Sequence, residues 1–131
     1  MELKVRLYLE DENAGKFMGE GPFVLLSKTK ELGSLNKAAK ELGISYTKSY
    51  NLLKKTEKVL GKELLNRKKG GAERSGATLS DFGERFLSLY DEFQKESKTL
   101  IKDVYDKFEI KLIDLKKGEI SWKNMILQLK N

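Results

Sequence analysis

At 131 residues, with 39% hydrophobic and 35% charged positions, the chain has the length for one domain with an extension, and enough apolar residues for a real core. It has no Cys and no His, which excludes disulfides, thiolate catalysis and Cys-based zinc, and removes the commonest metal ligand and the commonest general base. Asp and Glu are abundant but form no paired-carboxylate, nucleophile-base or metal-ligand pattern, so no enzyme, no cofactor and no metal are expected.

The longest apolar run, Phe23 to Leu26, is far too short to cross a bilayer, and the start, MELKVRLYLE, lacks the apolar segment and cleavage site of a signal peptide. The expectation is a cytoplasmic protein with no membrane partner. Net charge is +6, and it is local: residues 34 to 74 hold 11 Lys or Arg against 4 Asp or Glu, whereas residues 1 to 33 sum to −1 and residues 75 to 131 to zero. Charge gathered on one segment is the footprint of a polyanion-binding surface.

In chain order, Glu2 to Glu10 alternates Leu3, Val5, Leu7 and Leu9 with polar residues, the period of a half-buried strand. Asp11 to Gly15 reads as a turn, with Lys16 to Met18 returning as a short second strand before the break at Gly19 and Gly21. Pro22, the only proline, stands where the first turn of a helix accepts it, and Phe23, Leu25, Leu26 and Leu32 give that helix an apolar side ended by Gly33.

Residues 33 to 60 spell two helices joined by a tight turn. Ser34 can cap the first, whose apolar positions Leu35, Ala38, Ala39 and Leu42 recur at three- and four-residue spacing. Gly43 suits a left-handed helix end, Ile44 plugs the corner, and Ser45 caps the second helix. Ala39 is small where a larger side chain would part the helices, which fits a helix-turn-helix. An ordinary helical hairpin would need the same small residues. The outer face of the second helix favours DNA: Ser45, Tyr46, Thr47, Tyr50, Asn51 and Lys54 project, while Ser49, Leu52, Leu53, Thr56 and Leu60 pack inward. Hydroxyls and lysines bond phosphates, Asn can bond an adenine edge in two places, and a Tyr ring can lie on a thymine methyl.

After Gly61, the segments Glu63 to Lys68 and Ala77 to Leu79 read as two short strands around a glycine-rich tip, a wing whose Arg67, Lys68, Lys69 and Arg74 can reach the phosphate backbone or minor groove. A nucleotide-binding glycine loop would need a strand, a Gly-Lys-Ser/Thr ending and a helix in an order absent here. Ser80 and Asp81 open a long helix. Its apolar stripe of Phe82, Phe86, Leu89, Phe93, Leu100, Val104, Phe108, Leu112 and Leu115 runs over roughly 50 Å at 1.5 Å per residue, more than a small domain covers alone. The expectation is a homodimer through Phe86, Leu89, Phe93, Leu100, Val104 and Phe108; a bend near Glu96 to Lys98, folding the helix back on itself, is the alternative. Ile120, Trp122, Met125, Ile126 and Leu129 make a short amphipathic helix.

The strand, the Gly19-x-Gly21 turn, GSLNKAAKELGISYTKSYNLL, the wing GGAERSGATLS and the Leu79-Ser80-x-x-Gly83 element resemble the N-terminal DNA-binding domain of molybdate-responsive ModE-type regulators, whose winged helix is related to that of LysR-type regulators. The resemblance covers most of residues 2 to 95. It implies a dimer joined through the long helix and DNA contacts from Ser45, Tyr46, Thr47, Lys48, Tyr50 and Asn51 and from the wing around Arg74. The family's oxyanion-binding domains have no counterpart in residues 116 to 131, whose one hydroxyl is Ser121, so no small-molecule effector is evident and the chain is not expected to sense molybdate.

The expected fold is mainly α with small β: a winged helix-turn-helix with an N-terminal strand or hairpin over residues 1 to 79, and a helical dimerisation extension over residues 80 to 131. The expected function is sequence-specific binding of double-stranded DNA in transcriptional regulation, with Ser34 and Lys54 joining the contacts named above. The alternative is a protein-interaction module that binds other regulators through its long helix.

Overall fold

The computed structural model describes residues 1–67, 76–118 and 122–129, in the order β1 (Leu9–Asp11), β2 (Gly15–Met18), α1 (Glu20–Leu32), α2 (Leu35–Leu42), α3 (Tyr46–Leu60), β3 (Leu65–Asn66), β4 (Thr78–Leu79), α4 (Asp81–Lys116) and α5 (Trp122–Leu129). By internal packing the chain divides into two units, Arg6–Gln94 and a second made of Met1–Val5 with Lys95–Asn131.

In the first unit, β1 and β2 form an antiparallel hairpin with Leu9 opposite Met18 and Glu10 opposite Lys16. Its turn is held by the Asp11 carboxylate, which accepts from the N–H groups of Asn13 and Ala14, both at 3.0 Å. The strand expected over Glu2 to Glu10 shortens to Leu9–Asp11. The alternation is real, since Val5, Leu7 and Leu9 are half-buried while Arg6, Tyr8 and Glu10 are exposed. Among the described residues no strand pairs with the earlier ones: β2 ends at Met18, opposite Leu9.

Pro22 is the third residue of α1, where a missing N–H costs nothing because the first turn has no intrahelical acceptor for it. Gly33, Gly43 and Gly61 close α1, α2 and α3 in the left-handed conformation, with φ of 72°, 70° and 69°. Ser34 and Ser45 cap α2 and α3 as expected: each hydroxyl accepts an N–H three residues on, from Lys37 at 3.2 Å and Lys48 at 3.1 Å. Ile44 N–H donates to Ala39 O at 3.0 Å and so fixes the corner.

The core is one cluster in which Met18, Leu25, Leu26, Leu35, Ala38, Leu53, Leu64 and Leu65 are sealed from solvent, with Ala77, Leu87 and Tyr90 closing its rim. Each buried Leu contributes about 1.5–3 kcal/mol relative to exposure, so these side chains carry the unit. The wing strands pair Leu65 with Leu79 and Asn66 with Thr78, a shorter ladder than expected. Its tip, with Lys68, Lys69 and Arg74, lies outside the described residues. The wing is tied in at its base: Leu35 N–H donates to Ala77 O and Ser80 N–H to Leu64 O, both at 2.8 Å. The opening turns of α4 bury Gly83, Leu87 and Tyr90, so they pack with the first unit.

In the second unit α4 continues through residues 96 to 98 to Lys116, so the fold-back bend does not occur. No Gly or Pro lies between Glu84 and Lys117 to break it. The pair Lys102–Asp106 at 3.1 Å and the bond from Tyr105 O–H to Glu109 at 2.9 Å brace it one turn apart. Gly118 ends the turn beyond it at φ +77. The terminal helix starts at Trp122; Ile120 falls outside the described residues.

Candidate nucleic-acid interface

The site is built on α3, whose two faces the sequence separates. Inward, Ser49 donates its hydroxyl to Ser45 O at 2.9 Å, Leu53 is fully buried, and Thr56 donates to Phe17 O at 2.5 Å, fastening the helix to β2. Outward, Ser45, Tyr46, Thr47, Asn51 and Lys54 are exposed, as sequence periodicity predicts, whereas Tyr50, expected with them, is half-buried; Lys48, Lys55 and Lys58 are exposed as well and extend the basic surface. On α2, Lys37 and Lys40 are exposed too. The only carboxylate of α3, Glu57, is turned inward and 7% exposed, so the outer face keeps its positive charge.

Aromatic rings fix the geometry of that face. Tyr46 and Tyr50 stack with centroids 6.3 Å apart, and the Lys54 ammonium sits 5.7 Å from the Tyr50 ring. Gly76, at the base of the wing, lies against Tyr46: a Cβ there would stand 3.1 Å from Tyr46 Cε2 and 2.9 Å from the Asn36 backbone nitrogen. At φ +81 its backbone also favours glycine.

Two expected contact residues are corrected. Ser34 is 1% exposed, so it has no surface to offer a ligand. Arg67 is not a free cation for the phosphate backbone. Its Nη2 donates to Glu57 Oε1 at 2.7 Å, its Nε to the Tyr50 hydroxyl at 3.0 Å, and its Nη1 lies 3.5 Å from Glu63. Burial pulls the guanidinium pKa down, but Glu57 and Tyr50 together outweigh it, leaving it above the ordinary value and always charged.

Glu57 is the residue that the sequence reading missed. Its second oxygen, Oε2, accepts from Leu64 N–H at 2.7 Å and Leu65 N–H at 3.4 Å, so one carboxylate joins α3, the first wing strand and Arg67. The signal was a lone acid one turn beyond Leu53 on the inward stripe of a lysine-rich helix. Such a position demands a partner, because a buried unpaired charge is costly.

Among the residues expected at a dimer interface, Leu89, Phe93, Leu100, Val104 and Phe108 are exposed, with Leu89 at 65% and Val104 at 66%. Phe86 is the exception. It is half-buried, stacked on Phe82 and tilted against Tyr90, both at 6.2 Å, at the edge of its own core. Ile101, Ile110 and Ile113 add exposed apolar surface that the sequence reading left out. Among the described residues no group of three or more His, Cys, Asp or Glu is placed to hold a metal ion, and no helix is long and apolar enough to cross a membrane.

The family model described as bacterial regulatory helix-turn-helix protein, lysR family, matches residues 23–84. The transcriptional regulator ModE of Haemophilus influenzae is 37% identical over 67 residues, which is 51% of this chain and 26% of that protein. The DNA-binding transcriptional dual regulator ModE of Escherichia coli K12 is 34% identical over 59 residues, 45% of this chain and 22% of that protein. The molybdenum transport protein ModE of Azotobacter vinelandii is 24% identical over 110 residues, 84% of this chain and 39% of that protein. The chain thus spans well under half the length of these relatives. Among solved structures, the CbnR_DBD–DNA complex matches with a TM-score of 0.53 and 21% identity, over 66% of this chain and 94% of that one, which identifies the fold as a winged helix.

Proposed function

We propose that this chain, whose residues 23–84 match the family model described as bacterial regulatory helix-turn-helix protein, lysR family, is a sequence-specific DNA-binding transcriptional regulator, ModE-like in its DNA-binding part, acting as a homodimer on double-stranded DNA in the cytoplasm. The observation that carries the reading is the outer face of α3. Hydroxyl, amide, phenol and lysine side chains stand exposed there, with the helix's one carboxylate withdrawn to the inside. Ser45, Thr47 and the lysines are suited to phosphate oxygens, and Asn51 to an adenine edge in the major groove. The alternative of a protein-interaction module gains nothing from the Haemophilus and Escherichia relatives, both named as transcriptional regulators.

The test is a binding isotherm on DNA selected from a random pool. If about six phosphates are neutralised, log affinity falls against log salt with a slope near −5. Asn51→Ala is expected to lose about 1–3 kcal/mol of discrimination at one base pair, whereas Lys48→Ala weakens all sequences alike. Affinity indifferent to salt would sink the proposal, and equal loss on every sequence from Asn51→Ala would remove Asn51 from base reading.

A further inference from the structure

Resting on the reading of α3 as the DNA-facing helix, we infer that Tyr50 is an oriented hydrogen-bond donor to an acceptor atom of the DNA, and that Arg67, anchored by Glu57, is the positioning residue that fixes its direction.

A phenol carries one proton and accepts through its oxygen, and neither role is fixed until a neighbour chooses. Here the choice is made. Arg67 has only donors, and its Nε–H donates to Tyr50 Oη at 3.0 Å, so the oxygen is the acceptor in that bond and the phenolic proton points elsewhere. Among the described residues no acceptor is bonded to that proton. The side chain is half-buried, one turn from the exposed Tyr46 and next to the exposed Asn51, which is where an acceptor from DNA on that face would meet it. The guanidinium cannot turn away, because its Nη2 is held at 2.7 Å by a Glu57 carboxylate that is itself buried and bonded to the Leu64 N–H. The Arg67 guanidinium carbon also lies 4.9 Å from the Tyr50 ring centroid, and Tyr46 stacks on the same ring, so ring and hydroxyl are both constrained.

The consequence is a sign of recognition. Tyr50 offers a proton and refuses one, so it matches a phosphate oxygen, a purine N7, guanine O6 or thymine O4, and not the amino groups of adenine or cytosine. Arg67, which sequence reasoning assigned to phosphate, instead acts one step back.

The experiment compares wild type, Tyr50→Phe, Arg67→Lys and the double variant on the duplex that wild type selects from random DNA, at fixed salt. Thermal melting of each protein checks that it is folded. Tyr50→Phe keeps the ring and is expected to weaken binding about threefold to tenfold, the value of one net hydrogen bond. Arg67→Lys keeps the charge but not the planar fork, and is expected to weaken wild type but to add nothing in the Tyr50→Phe background. Single 7-deazapurine and single methylphosphonate replacements along the duplex then locate the acceptor. A 7-deaza position that costs wild type but not Tyr50→Phe places it on a base; a methylphosphonate position with that pattern places it on the backbone. Wild-type affinity from Tyr50→Phe, or an equal loss from Arg67→Lys in both backgrounds, overturns the inference while leaving the regulator reading intact. Failure of wild type to bind any duplex overturns that reading and takes the inference down with it.

Discussion

Gly83 and Gly61 show how differently two glycines can be required. Gly61 is needed for its backbone: φ is +69 and nothing lies within 4 Å of where a Cβ would stand. Gly83 sits inside α4 with no positive φ, but a Cβ there would run into the carbonyl oxygen of Leu64, which accepts the Ser80 N–H where α4 leaves the wing. One glycine meets a conformational demand and the other a steric one. Gly61→Ala is therefore expected to cost about 1–2 kcal/mol, the strain of an L-residue in the left-handed region. Gly83→Ala forces backbone apart at the join of wing and helix, and is expected to cost about 1–3 kcal/mol or more. Urea unfolding of both variants checks this, and a Gly83→Ala midpoint equal to wild type would contradict the close approach. The same scale explains why Arg67 was misassigned from sequence. Its partner Glu57 lies on a different element, and the pairing exists only after β3 has folded back along α3.

At the scale of elements, the cap of α3 separates folding from recognition. Ser45 holds the Lys48 N–H and is itself exposed at the positive end of α3. Ser45→Ala is expected to cost about 1 kcal/mol of stability through the lost cap. Ser45→Asp retains an equally good cap, and its charge suits the helix dipole, so the fold should keep wild-type stability. It also sets a negative charge on the face proposed for DNA, so affinity should fall. Calorimetric melting and DNA titration of the two variants separate the roles, and undiminished affinity in a stable Ser45→Asp would move the DNA away from this end of α3. The helices were legible in the sequence because everything that shapes them is local. Ser34 and Ser45 cap, Gly33, Gly43 and Gly61 stop, and Leu35, Ala38, Leu53 and Thr56 keep a 3.6-residue period. The first strand was half legible. Its alternation gave the buried side of Leu7 and Leu9, but a strand's length is set by its partner, and β2 is only four residues long. Most of the outward set on α3 followed from periodicity, but the half-burial of Tyr50, the inward Glu57 and the docking of Gly76 on Tyr46 depend on contacts between elements that no local pattern encodes.

For the whole molecule, the exposed stripe on α4 is an energetic problem whose simplest solution is a second copy. Leu100, Val104 and Phe108 recur at four-residue steps and are all more than half exposed, with Ile101, Ile110 and Ile113 beside them, while Lys102, Asp106 and Glu109 pair along the helix. Leaving these side chains in water forgoes about 1.5–3 kcal/mol for each one that could be fully buried, and contiguous apolar surface of this kind marks an association site. Two copies related by a two-fold axis would cover it with one patch, and would present two recognition helices to half-sites one helical turn apart on a palindrome. Light scattering at micromolar concentration should therefore give twice the chain mass. Val104→Glu puts like charges on the axis side of both helices and lies outside the Arg6–Gln94 unit, so it is expected to yield a folded monomer. Losing one of two bound subunits roughly halves the phosphates engaged, so the salt slope of Val104→Glu on the same duplex should fall to about half that of wild type. A wild-type monomer, or a Val104→Glu protein that remains a dimer with an unchanged slope, would place the contact between copies elsewhere than on α4.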